Sequence, residues 1–346
     1  MNIEIIGYTS IDISKSVDHL KHDGLIGFPT ETVYGLGARA DHPKAVEKIF
    51  QLKGRPSNHP LIVHIPPAKE NTDFHWLNQF EPWARDIPNE ALRLAQAFWP
   101  GPLTMILQKA KGVIKEVTGG NETVGLRCPN QKTAIEILKE LGTGIAAPSA
   151  NRFGKISPTN AQHVYEEFSP ITRSFSNEFD LVIVDAGDCE IGIESTIIDL
   201  TNIDTHGLRI LRPGMITVKD IEDKTGLLVG KVIDKLVAHS GSHLAHYAPM
   251  TPLKIIEQPL VGMVFEQNEN SIWLSMMDED LTSLQNIQVR PIPSNPKDLA
   301  KIIYGLLREL DKKSYQTIYF RALPLDSQWD AIRDRLKRAA KGSGKS

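Results

Sequence analysis

Short apolar runs punctuate the first two hundred positions, each closed by glycine, proline or polar residues. The runs at 25–28, 61–65, 103–107, 124–126, 144–147, 181–184, 197–200 and 208–211 are too brief for helices and predict buried strands. Other stretches carry the helical period. Ala45, Ile49 and Leu52 share one face of a helix that Asp41 would cap and Pro43 would open. Helices are also predicted at 91–98, 133–141 and 161–168, the first halted by Trp99-Pro100-Gly101-Pro102. Strands and helices interleaved in this way predict an α/β domain that ends near Arg212-Pro213-Gly214.

Beyond that point the texture changes. A short helix is predicted at 218–226, and the stretch up to Pro252, rich in glycine, histidine and proline, has the composition of an ordered linker. From Leu253 the alternation restarts, with strands at 253–256, 271–274, 287–289 and 317–320 and helices at 298–310 and 329–340. That order predicts a small three-layer α/β domain with a parallel sheet. The expected division is 1–216, 217–252 and 253–346, with no internal repeat.

A chain of 346 residues is long enough for two such cores, and 41% hydrophobic with 23% charged residues argues against wholesale disorder. The net charge of -3 excludes a globally basic nucleic-acid binder and leaves a local basic surface open. No apolar run is long enough to span a bilayer, and Met1-Asn2-Ile3-Glu4 lacks the parts of a signal peptide. Cys128 and Cys189 form neither a CxxC pair nor a zinc set. Reduced structural thiols and a cytoplasmic chain without membrane partners are expected.

Two phrases far apart in the chain carry the first hint of chemistry. Lys53-Gly54-Arg55-Pro56 sets two cations beside a stiff proline, and Pro148-Ser149-Ala150-Asn151 offers a hydroxyl and a carboxamide. Together they would suit a polyphosphate. Apart, they are equally a solvated helix end and a turn. By the same token His64 reads as a structural histidine and Arg127 as a surface arginine when each is taken alone. Gly35-Leu36-Gly37-Ala38-Arg39-Ala40 fits the dinucleotide fingerprint only on paper, because the preceding strand ends too early and no ribose-binding acid follows. Gly342-Ser343-Gly344-Lys345-Ser346 lacks the first glycine of a P-loop and has no helix after it. His239, His243 and His246 have no carboxylate or cysteine to complete a metal site, so no protein-held metal is expected. Trp76, Trp83 and Trp99 read as packing residues. Arg333, Arg335, Lys337, Arg338 and Lys341 read as the solvated face of the last helix.

Further phrases stand in order around these. They are Phe28-Pro29-Thr30-Glu31-Thr32-Val33-Tyr34-Gly35-Leu36, Trp99-Pro100-Gly101-Pro102-Leu103-Thr104, Thr123-Val124-Gly125-Leu126-Arg127, Glu194-Ser195-Thr196 and Arg212-Pro213-Gly214. With them, the first two-thirds of the chain closely resembles the threonylcarbamoyl-AMP synthases of the YrdC type. His246-Tyr247-Ala248-Pro249 and the closing Asp334-Arg335-Leu336-Lys337-Arg338-Ala339-Ala340 resemble the long form, which adds a linker and a Rossmann-like C-terminal domain. The resemblance implies a twisted, open, mixed α/β sheet with a concave basic cavity. It also implies an enzyme that joins L-threonine, bicarbonate and ATP into threonylcarbamoyl-AMP and pyrophosphate. Mg²⁺ would accompany ATP, and proteins that transfer the threonylcarbamoyl group to the adenosine next to the anticodon of tRNA would consume the product. Direct RNA binding is a further expectation.

Carried over by motif, Lys53, Arg55, Ser149 and Asn151 would be the catalytic group. His59, Thr123, Ser157 and Arg212 would join Arg55 and Ser149 around ATP, with Tyr247 as a lid. Thr32, His64, Arg127, the Ala147 backbone and Ser195 would hold threonine. Two departures from the family stand out: His59 is present where asparagine is common, and Ser240-Gly241-Ser242-His243-Leu244-Ala245 lacks the linker's usual cations. Two rival functions are a hydrogenase-maturing carbamoyltransferase and a non-catalytic module for double-stranded RNA. The first needs zinc fingers that two cysteines cannot build. The second has no use for Thr32, Arg127 and Ser195.

Overall fold

The computed structural model describes residues 2–171, 180–230, 246–257, 270–276 and 287–344. The chain divides into two compact units. The first comprises Met1–Phe153, Pro158–Glu190 and Glu194–Ser242, and the second Gly154–Ser157, Ile191–Ile193 and His243–Ser346.

The first unit opens with β1 (Asn2–Ile6), α1 (Ser10–Lys21), β2 (Leu25–Phe28), β3 (Gly35–Arg39) and α2 (Pro43–Lys53). β4 (Ile62–His64), α3 (Asp73–Phe80), α4 (Asn89–Phe98), β5 (Leu103–Gln108) and α5 (Lys115–Thr118) follow. Next come β6 (Thr123–Arg127), α6 (Lys132–Leu141), β7 (Ile145–Ala147), α7 (Ala161–Phe168) and β8 (Asp180–Val184). β9 (Thr196–Asp199), α8 (Ile203–His206), β10 (Arg209–Arg212) and α9 (Val218–Thr225) complete it. The strands form one mixed sheet in the order β1-β8-β2-β3-β7-β4-β6-β5-β9-β10. Parallel pairs (β4 with β6, β5 with β9) alternate there with antiparallel ones such as β7 with β4 and β5 with β6.

Strand alternation gives this sheet two different faces. Val63, Ala146, Leu126, Met105, Leu107 and Ile198 point into the main core, which also holds Trp76, Phe80, Trp83 and Trp99. These tryptophans are packing residues, as expected: the Trp99 ring lies 5.5 Å from Trp76 and 5.3 Å from Phe80. On the opposite face, Phe28, Ile145, Ala147 and Val182 pack with Val17 and Leu20 of α1 and with Ile137 and Leu138 of α6. From β4 to β9 that same face has a small apolar floor, Ile62, Ile106 and Ile197, and polar side chains stand around it.

The expected strands and helices are present within about three residues, but β1, α1, β3, α3, α5 and α8 lie outside them. The glycine-rich stretch excluded as a nucleotide fingerprint is strand β3. Its glycines make room for neighbours: a Cβ at Gly35 would come 2.7 Å from the Phe28 ring, and one at Gly37 2.7 Å from Ile145 Cγ2. Asp41 does not cap α2. His42 takes the N-cap position without a side-chain bond, and Asp41 instead accepts from Arg39 at 2.9 Å. With Pro43 in the first turn, one of the N–H groups that a cap would satisfy is absent.

The second unit contains β11 (Leu253–Ile256), β12 (Ser271–Met276), β13 (Gln288–Ile292), α10 (Pro296–Asp311), β14 (Thr317–Arg321) and α11 (Asp330–Gly342). Its four strands lie in the order β11-β14-β12-β13 and are all parallel, as expected. Among the described residues no helix is long and apolar enough to cross a membrane.

Candidate active site

Lys53 is the last residue of α2, and Gly54 follows in the left-handed region at φ 63°. That conformation closes the helix: the Arg55 N–H turns back to the Phe50 carbonyl at 2.9 Å. Lys53 is only 3% exposed. Its ammonium donates to the Ser149 carbonyl at 2.6 Å and to the Asn151 carbonyl, while the Phe153 N–H returns to the Lys53 carbonyl at 2.9 Å. The Ser149 hydroxyl donates to Asn151 Oδ1 at 2.5 Å. The two phrases that hinted at a polyphosphate therefore meet. Arg55 is buried too, and its Nη2 donates to the Pro60 carbonyl at 3.1 Å. Burial first, and the Arg55 guanidinium second, hold the Lys53 ammonium well below the usual lysine range. Two neighbouring buried cations repel each other, and a bound polyanion would relieve that repulsion. His59, half-buried on the same loop, has its ring 5.5 Å from that of Phe153.

Across the strands the polar side chains continue on one face. His64 on β4 stands opposite Arg127 on β6, and Ala147 on β7 opposite Ile62. Thr123 opens β6 on the same side as Arg127. Arg127 is not the surface arginine that it could have been: its Nη2 lies 2.8 Å from Glu31 Oε1, with side chains 5% and 3% exposed. Arg127 Nε and Nη2 and His64 Nδ1 are buried and, among the described residues, make no hydrogen bond. Native interiors rarely leave such groups unsatisfied away from functional sites. Burial, then the nearby Arg127 charge, push the His64 imidazole down to about 3, so it is neutral at neutral pH.

Hydroxyls complete this region. Thr30 Oγ1 donates to the Val33 carbonyl at 2.6 Å and lies 2.8 Å from Thr32 Oγ1. With the Thr30 proton committed to Val33, Thr32 is the donor in that pair, which leaves the lone pairs of its own oxygen as acceptors. Ser195 Oγ sits 2.8 Å from Thr104 Oγ1 and accepts from Arg212 Nη2 at 3.0 Å, while Arg212 Nε donates to the Ser195 carbonyl at 3.1 Å. Arg212, expected near ATP, thus braces a residue expected near threonine. Glu31, Thr30 and Thr104 were not among the expected site residues, although all three lie inside phrases that the sequence displays.

Ser157 and Tyr247 belong to the second unit. Tyr247 is buried with φ 61°, its ring 5.7 Å from Tyr304 and 4.1 Å from His246, and Arg335 lies over it at 5.3 Å. Arg335 is therefore not on the solvated face of α11. It is buried between this ring and Asp334, its planar guanidinium set over the ring while it pairs with the carboxylate. His239 and His243 lie outside the described residues. Cys128 and Cys189 are free and buried, and burial raises both thiols.

Residues 18–214 match the family model Sua5_yciO_yrdC, described as telomere recombination. Residues 216–341 match the C-terminal domain of threonylcarbamoyl-AMP synthase. A threonylcarbamoyl-AMP synthase of Pyrococcus abyssi is 34% identical over 93% of this chain and 92% of its own length. One of Bacillus subtilis is 34% identical over 95% and 93%. The crystal structure of P. abyssi Sua5 complexed with L-threonine superposes with a TM-score of 0.80 at 30% identity, covering 99% of this chain and 98% of that one.

Proposed function

The chain belongs to the threonylcarbamoyl-AMP synthase family, and on that footing we propose that its first unit builds the adenylate by positioning and charge, without a covalent enzyme intermediate. It is an ATP-using enzyme of the nucleotidyltransferase type that makes threonylcarbamoyl-AMP for the modification of tRNA. The observation that supports the assignment of roles is the Lys53 ammonium, which draws the loop at 149–151 against the end of α2 beside Arg55.

In this reading the neutral amine of threonine attacks the carbon of bicarbonate, water leaves, and a carbamate results. A carbamate oxygen then attacks the α-phosphorus of ATP, and the bond to the β-phosphate oxygen breaks to release pyrophosphate. Neither step needs a protein nucleophile, so orientation and stabilisation of developing charge dominate. Lys53 and Arg55 neutralise the phosphates and the departing pyrophosphate, and Ser149 and Asn151 orient the carbamate and the nucleotide. His59, Thr123 and Arg212 line the nucleotide side, and the same reading assigns Ser157 and Tyr247 to ATP. Arg127 takes the threonine carboxylate in a fork. His64, neutral, can accept or donate there without adding charge. Thr32 Oγ1 accepts from the substrate amine, and Ser195 and the Ala147 backbone hold the rest.

Mg²⁺ would accompany the ATP phosphates, as a hard cation that takes its oxygen ligands largely from phosphate and water. Ser149 Oγ and Asn151 Oδ1 are the neutral oxygens that this loop could add to its shell. When bound, the ion would supply charge neutralisation at the phosphates. Proteins that transfer the threonylcarbamoyl group to tRNA would take up the product, with the cytoplasm as the site of action.

The test is pyrophosphate release by the full-length protein. Release should require threonine and bicarbonate together with ATP, and Lys53→Ala or Arg55→Ala should lower it by about 100-fold or more, as loss of a charge-stabilising donor does. Release that ignores threonine would refute the synthase reading. Wild-type turnover in a folded Lys53→Ala variant would refute the role given to Lys53.

A further inference from the structure

Glu31 takes no part in the chemistry just described, yet its buried carboxylate is hydrogen-bonded at one oxygen and faces a cation with the other. Oε2 accepts the Asn130 N–H at 3.0 Å, just past the end of β6, and Oε1 lies 2.8 Å from Arg127 Nη2. The bond to Asn130 anchors one oxygen, which leaves the other as a post beside the guanidinium. Arg127 needs such a post. A guanidinium cannot shed its proton, and one buried without an anion is strongly destabilising. Among the described residues Glu31 is the carboxylate paired with it. His64 is neutral, and the thiols of Cys128 and Cys189 are raised, so none of these could substitute.

The contact also leaves a usable edge. Nε and Nη2, the side-on fork of the guanidinium, make no hydrogen bond among the described residues, because Glu31 meets Nη2 without hydrogen-bond alignment. A carboxylate can bind both N–H groups of that edge at once. We propose that Glu31 is a positioning residue for threonine recognition, holding Arg127 so that its Nε–Nη2 edge is presented to the substrate carboxylate. The proposal rests on the reading of Arg127 as the carboxylate anchor.

The experiment measures KM for threonine and for ATP in the full-length protein and in Glu31→Gln, Glu31→Asp, Arg127→Gln and the Glu31→Gln/Arg127→Gln pair. L-threoninol, which lacks the carboxylate, serves as a competitor of threonine. Glu31→Gln should raise KM for threonine about 10-fold or more, the scale of a charge-assisted contact, and leave KM for ATP within about 2-fold. Glu31→Asp, which keeps the charge but shortens the reach, should lie between wild type and Gln, and it carries the test alone if the Gln variant does not fold. The double variant should bind threonine no worse than Arg127→Gln, and L-threoninol should inhibit wild type and Glu31→Gln equally. If Glu31 variants bind threonine normally while Arg127→Gln does not, the positioning role falls and the anchor stands. If Arg127→Gln also binds normally, the anchor itself falls. Equal losses for threonine, ATP and L-threoninol would show a general structural role and overturn the proposal.

Discussion

The imidazole of His64, pushed down to about 3 by burial first and by Arg127 second, links the chemistry of one residue to the stability of the fold. The unfolded chain binds a proton at this histidine near pH 6.5, and the folded chain refuses it until far lower. Its contribution to stability is therefore present above pH 6.5 and is lost as pH falls toward 3. Between pH 7 and pH 5 the wild type should lose about 2 kcal/mol more than His64→Gln, as read from urea midpoints at the two values. Equal losses would mean that His64 titrates normally in the fold. At this scale the sequence displays the cations and the small polar residues of the proposed site, because their chemistry is carried by residue type. It does not display their partners. Lys53 binds backbone carbonyls, which every residue has, and Glu31 meets Arg127 only because the turn after β2 comes to lie against the end of β6. Arg335 looks solvated by composition until Tyr247 is placed beneath it.

Elements were legible where side chains announce them. Apolar runs mark β4 to β7, and the spacing of Ala45, Ile49 and Leu52 marks α2, all three buried. β3 was hidden because its face toward Phe28 and Ile145 is built from the absence of side chains, and alternate glycines suggest a loop. α1 was readable in principle: Thr9 and Asp12 form a capping box, and Ile13, Val17 and Leu20 are buried along one face. The reason given for the β3 glycines has a direct check. A methyl at Gly37 would lie 2.7 Å from Ile145 Cγ2 and 2.9 Å from the Phe28 ring, whereas at Gly112 nothing lies within 4 Å. Gly37→Ala should destabilise the first unit by about 1–3 kcal/mol through overpacking. Gly112→Ala should fall within about 0.5 kcal/mol of wild type. Both are read from chemical denaturation, and equal effects would remove packing as the reason for glycine in β3.

For the molecule as a whole, the change of texture after Arg212-Pro213-Gly214 divides the chain at a single stretch. A domain read along the chain is contiguous, whereas the second unit also claims Gly154–Ser157 and Ile191–Ile193 from inside the first two-thirds. Hydrogen bonds account for that membership. The Ala248 N–H donates to the Gly154 carbonyl at 2.9 Å, and Arg308 donates from α10 to the Ile156 carbonyl. Nothing in a residue's identity records which carbonyl it will meet. The segment is short, with a single bridge between Lys155 and Ala248 as its regular pairing among the described residues, so weakening one of these bonds should raise the rate at which it opens. A hydrogen bond from a charged donor contributes about 1.5–3 kcal/mol, which corresponds to an opening at least tenfold more frequent when it is lost. Arg308→Met keeps the apolar stem and removes the bond. In the full-length protein, trypsin should then cut after Lys155 about tenfold faster under conditions where cleavage follows local opening. Since Ser157 ends the same segment and is assigned to ATP, KM for ATP should rise while KM for threonine stays near wild type. An unchanged cutting rate would mean that the segment is ordered without Arg308. Faster cutting with an unchanged KM for ATP would remove Ser157 from the nucleotide side.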